Sequence, residues 1–198
     1  MVNYFALMAM PTDFALDDTQ LDAHLRRLQQ QYHPDMQASD EPVAPISAGQ
    51  TVDLSHLNAE QRSALINTAY DTLKSVDSRA LHLLALRGLT LSPNASIADG
   101  EFLARAMEFR MALEEADSTS LPALTTELDT WLRHSTAEFA DAYAALIALP
   151  EQVSSDHLAA KRALAAAQRL QFLVKLSQDV AKATNQLAQT DDDADLYV

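Results

Sequence analysis

The chain has 198 residues, no cysteine, 3 glycines, 7 prolines and a formal net charge of −14 at pH 7. That excludes disulfides, thiolate metal sites and a cysteine nucleophile, and an acidic surface repels phosphate backbones and anionic lipid, so neither nucleic acid nor a membrane is expected as a partner. Hydrophobic residues make up 48 %, enough for a globular chain of one domain or two small ones, and abundant Ala and Leu beside few glycines predict an all-α fold.

No apolar run is long enough to span a bilayer. The start, MVNYFALMAMPTD, lacks the positive region of a signal peptide, so a cytoplasmic location is expected. The six histidines (His24, His33, His56, His82, His134 and His157) form neither a metal-ligand pair at helical spacing nor an H-E-x-x-H pattern. There is no glycine-rich phosphate loop and no G-x-S-x-G elbow. Catalytic residues, metal ligands and cofactors are accordingly expected to be none.

In chain order, residues 4–10 are a short apolar segment of one or two helical turns closed by Pro11. Asp17 or Asp18 caps the next helix. Leu21, Leu25, Leu28 and Tyr32 recur on one face of it, with Arg26, Arg27 and Gln30 on the other. It ends in His33-Pro34-Asp35, since the residue before a proline is pushed out of the α region. Residues 36–57 read as a long loop, of a length usually functional or mobile. Asn58 with Gln61 forms a capping box for a helix that carries Arg62, Ile66, Ala69 and Leu73 on one face. Asp77 or Ser78 caps another helix, which Gly88 terminates.

Residues 89–98 read as a linker, with a turn at Ser92-Pro93-Asn94. Three long helical patterns follow. One covers about 99–117. The second starts at Ser120 with Pro122 in its first turn, and aligns Leu121, Leu124, Leu128, Trp131, Leu132, Phe139, Tyr143 and Leu146. A third, from about 155 to 187, aligns Leu158, Ala165, Phe172, Leu173, Leu176, Val180 and Leu187. Three helices with one apolar face each bury them against one another, a three-helix bundle. The acidic tail at 190–198 is expected to be disordered.

The first bundle helix carries more apolar surface than one core contact needs. At 100° per residue, Phe102, Ala106, Phe109 and Leu113 cluster within roughly 60°. Leu103, Ala104, Met107 and Met111 form a second band, flanked by Glu108 and Glu115. Either the helix is central and packed on two sides, or the band is an exposed surface for a protein partner, which methionines and acidic rims suit.

By itself His33-Pro34-Asp35 is a weak motif, and a helix stop followed by a turn accounts for it. Its setting is more specific. Y-H-P-D closes an amphipathic helix, and N-x-A-Y-x-x-L at Asn67, Ala69, Tyr70 and Leu73 follows on an antiparallel partner. This pairing resembles the J domain, which docks on seventy-kilodalton heat-shock chaperones and stimulates their ATPase. Further blocks extend the likeness: Tyr4-Phe5-x-Leu7, then Arg79, Ala80, Leu83, Leu84, Leu86 and Gly88, then F-L-x-x-x-x-E-x-R-x-x-L at 102–113, then R-L-x-F-L-x-K-L at 169–176. Together they are similar to the J-domain co-chaperone of iron–sulfur cluster assembly, the HscB family. The lack of an N-terminal cysteine motif matches its bacterial type.

The resemblance implies a J domain over 1–88, a linker over 89–98 and a scaffold-binding three-helix bundle over 99–189. The chaperone contact would fall on His33, Pro34 and Asp35, supported by Arg26, Arg27 and Gln30. Docking of the iron–sulfur cluster scaffold protein would fall on Leu103, Ala104, Met107, Glu108, Met111 and Phe172. The chain would be a non-enzymatic adaptor that activates the chaperone's ATPase. Two other readings are a J protein with a different client, and an all-α interaction protein whose HPD is only a turn. An enzyme is least supported, because His33 and Asp35 around a proline are poorly placed to relay a proton.

Overall fold

The computed structural model describes residues 1–32, 54, 56–92, 96–151 and 153–195, with side chains through residue 189. The HPD tripeptide, nearly all of the 36–57 loop, and Pro93 and Asn94 of the expected turn lie outside the described residues. Among those described there are seven α-helices and no strand: α1 (Tyr4–Leu7), α2 (Asp18–Gln31), α3 (Ala59–Lys74), α4 (Val76–Leu86), α5 (Gly100–Glu114), α6 (Leu121–Ile147) and α7 (Leu158–Asp195). No helix among them is long and apolar enough to cross a membrane. The chain divides into two compact units, Met1–Leu89 and Thr90–Val198.

In the first unit α2 and α3 form an antiparallel pair. Asp17 caps α2 by accepting from the N–H groups of Thr19 and Gln20, and the Asn58–Gln61 capping box starts α3. Leu21 and Leu28 of α2 and Ile66, Ala69 and Leu73 of α3 are buried, at the periodicity the sequence sets out. Asn3 caps α1, and its Tyr4 and Phe5 rings stack on buried His82 of α4, with centroids 4.5 and 5.7 Å away. In α4, Ala80, Leu83 and Leu84 are wholly buried, and the Arg79 guanidinium lies 5.6 Å from the Phe14 ring centroid. The block from Arg79 to Gly88 is thus a packing block. Gly88 ends it at φ +73, a left-handed conformation that glycine adopts without a Cβ penalty.

In the second unit α5, α6 and α7 make a three-helix bundle. Phe102, Ala106 and Phe109 pack with Leu121, Leu128 and Trp131 of α6 and Leu173, Leu176 and Val180 of α7. The helices differ in length, 15, 27 and 38 residues. At 1.5 Å per residue these span about 22, 40 and 57 Å, so α5 covers only part of the α6–α7 pair.

Three details differ from expectation. The N-cap position of α4 is Ser75, which makes no side-chain capping bond, and not Asp77 or Ser78. Ser75 also closes α3, its extended backbone (φ −84, ψ 129) serving both helix ends. In α7 the inward face is shifted: Leu158 is 62 % exposed and Ala165 is exposed, whereas Ala160, Ala163, Ala166 and Ala167 are buried. Small residues admit close backbone approach, so an alanine face can be the inner one. Finally, α7 runs to Asp195, where helix to about 187 and disorder from 190 were expected. No glycine or proline follows Pro150 to stop the helix.

Candidate docking faces

One candidate face lies on α2. Arg26, Arg27 and Gln30 are exposed there, opposite buried Leu21 and Leu28. A polar clamp fixes α2 against α3. Asp22 accepts from the Tyr70 hydroxyl at 2.8 Å and from Lys74 Nζ at 3.0 Å. These bonds hold the Asp22 carboxyl below its ordinary value and raise Tyr70 and Lys74, each mainly through its bond to Asp22. Nearer the end of α2, Gln29 donates to Asn67 at 3.4 Å, and Arg62 lies over the Tyr32 ring at 5.6 Å. The clamp holds α2 against α3, and residues 33–35 lie outside the described residues.

The second face is on α5. Asp99 caps the helix, its Oδ1 accepting from Phe102 N–H at 3.0 Å. With Phe102, Ala106 and Phe109 turned inward, the outer surface falls to Leu103, Met107 and Met111, which are 38, 67 and 61 % exposed. Ala104 and Glu108 are exposed beside them. Of the two readings of this band, the exposed surface is the one that holds among the described residues. Phe172 of α7 is half-buried, edge-on to Phe102 at 5.6 Å and under the Arg110 guanidinium at 5.2 Å.

Three arginines that pattern reading left without a role hold this face in place. Arg110 clasps Phe172. Arg105 stacks over Trp131 at 4.3 Å and pairs with Glu127 at 3.2 Å. Arg169 of α7 reaches both Asp99, at the start of α5, and Glu138 of α6, each at 3.4 Å. That triangle ties all three helices together at one level. Arg110 and Arg169 sit within the sequence blocks at 102–113 and 169–176 that carry the likeness, which was the available signal, but their partners are distant in sequence. Chemically, the band offers apolar area with an acidic flank. Burying each large side chain under a partner is worth about 1.5–3 kcal/mol before association costs.

Residues 98–181 match the family model described as the HSCB C-terminal oligomerisation domain. The chain is 33 % identical over 196 residues to a co-chaperone protein HscB homolog of Acinetobacter baumannii, covering 98 % of each. A co-chaperone protein HscB homolog of Shewanella pealeana is 31 % identical over 192 residues, 94 % of this chain and 99 % of that one. Among solved structures, the chaperone HscB from Vibrio cholerae superposes with a TM-score of 0.70 at 30 % identity, over 94 % of this chain and 99 % of that chain. Human co-chaperone protein HscB gives a TM-score of 0.71 at 21 % identity, over 93 % and 83 % of the two chains, a likeness of fold.

Proposed function

This chain belongs to the HscB co-chaperone family, and on that premise we propose that it carries the iron–sulfur cluster scaffold protein to a seventy-kilodalton heat-shock chaperone and stimulates that chaperone's ATPase. It acts in the cytoplasm, supplies no catalytic group, and joins two partners through separate units of one chain. The chaperone contact is assigned to His33, Pro34 and Asp35 with Arg26, Arg27 and Gln30. The scaffold contact is assigned to Leu103, Ala104, Met107, Glu108, Met111 and Phe172. The observation that carries the scaffold assignment is the exposure of Met107 and Met111, 67 and 61 %, on a helix whose opposite face fills the bundle core. Isolated exposed apolar residues are ordinary, but three at successive turns of one helix make a surface suited to a partner. Support for the chaperone assignment is the sequence likeness together with the exposed arginines of α2.

Steady-state ATPase of the partner chaperone at low salt tests the whole reading. It should rise on adding this protein, rise further with the scaffold, and stay basal with His33→Gln. Absence of any stimulation by the wild-type protein would reduce HPD to a turn. Stimulation that ignores the scaffold would keep the J domain and reassign the client. A second reading of the α5 band, contact between two copies of this chain, takes its support from the description of the matched family model. Sedimentation equilibrium of wild type against Met107→Ser separates the two.

A further inference from the structure

With no cysteine and 6 methionines, thioethers are the readily oxidised sulfurs of this chain. Met1 at the N-terminus is 84 % exposed, and burial separates the other methionines whose side chains are described. Met8 and Met10 are 0 and 7 % exposed in the first unit, while Met107 and Met111 are 67 and 61 % exposed one turn apart on α5. Both exposed sulfurs of α5 therefore lie on the band assigned to docking, beside Leu103 and Ala104, which offer no side-chain hydrogen-bond donor. An oxidant in solution reaches these two before it reaches the buried pair.

We propose that Met107 and Met111 form an oxidation-sensitive site: their conversion to methionine sulfoxide by a hydroperoxide releases the docked partner, and a methionine sulfoxide reductase restores the face. This rests on the docking reading of the α5 band. In the forward step a sulfur lone pair attacks one peroxide oxygen. The O–O bond breaks, an S–O bond forms, and sulfur gives up two electrons. The other oxygen leaves, with the proton, as water or alcohol. In the reverse step a reductase dithiol removes the oxygen as water and ends as a disulfide. The physical effect is local. A flexible apolar thioether becomes a strong dipolar acceptor, and an apolar partner surface leaves that acceptor buried without a donor.

The test treats this protein alone with hydrogen peroxide, removes the peroxide, and titrates the protein with the metal-free cluster scaffold protein of the same organism. Peptide mass mapping reads each methionine, and circular dichroism confirms that the helices persist. Met107 and Met111 should gain one oxygen each before Met8 and Met10 do. The scaffold Kd should rise tenfold or more and return after treatment with the reductase. Met107→Leu/Met111→Leu should keep its own untreated affinity through the same treatment. An unchanged Kd with both sulfurs fully converted overturns the proposal, as does an equal loss in the leucine variant. Untreated Leu103→Ser that binds as tightly as wild type instead overturns the docking reading, and this proposal with it.

Discussion

His82 shows how a single side chain ties an N-terminal helix to its unit. Its Nε2 accepts from the Tyr4 N–H at 3.0 Å, so that nitrogen carries no proton, and two aromatic rings stack on it. Burial pushes its pKa below the ordinary histidine value. In the unfolded chain the ring titrates near 6.5. Between the two values the unfolded state binds more protons, so stability is full above about pH 6.5 and falls as the pH drops below it. The first unit should lose thermal stability between pH 7.5 and 5.5, and His82→Gln, which keeps an acceptor but does not titrate, should flatten the dependence. A slope that survives in His82→Gln would place the titrating group elsewhere. In the sequence, His82 is only one of six histidines without a metal-ligand partner at helical spacing. Its role depends on Tyr4, 78 residues away, and no local pattern carries that separation. The exposed positions Arg26, Arg27 and Gln30, by contrast, follow directly from helical spacing on α2.

At the scale of elements, the α5 band was legible for a physical reason. Phe102, Ala106 and Phe109 are the bulky or close-packing residues of one stripe, and a helix that buries that stripe must present Leu103, Met107 and Met111 outward. Periodicity failed where side chains were small. On α7 it ranked Leu158 above the alanines, although Ala160, Ala163, Ala166 and Ala167 are the buried residues. Ser75 was missed as a cap because it ends one helix and begins another, and sequence reading assigns such a residue to neither. The Arg169 triangle with Asp99 and Glu138 was likewise invisible, since its members come from three helices. Arg169→Met should remove the tie at the head of α5 at a cost of about 1 kcal/mol. Amide exchange should then quicken in the first turn of α5 more than in the middle of α6. Equal acceleration in both would mean that the arginine supports the bundle generally.

For the molecule as a whole, the two candidate faces lie in different compact units, on α2 and on α5. Their functions should therefore separate by mutation. Arg26→Glu/Arg27→Glu should abolish ATPase stimulation while the scaffold Kd stays within twofold. Leu103→Ser/Met107→Ser should raise the scaffold Kd tenfold or more while scaffold-free stimulation persists. Titration calorimetry and ATPase rates read the two effects, and coupled loss of both in either variant would contradict independent faces. Salt should weaken the arginine face more than the apolar band.

The outer side of α5 has a further consequence, for descent. Core residues constrain one another: a change at Phe109 or Trp131 disturbs every neighbour in the close-packed cluster they share. Leu103, Met107 and Met111 project into solvent from a helix already secured by its inner stripe and its arginines. Substitutions there leave the fold almost untouched, so this side can drift in step with a co-evolving partner. Related chains should keep Leu103, which is one of the residues that carry the family likeness in the block at 102–113, and differ at Met107 and Met111, which are not, and a band grafted from one onto another should carry its partner preference with it.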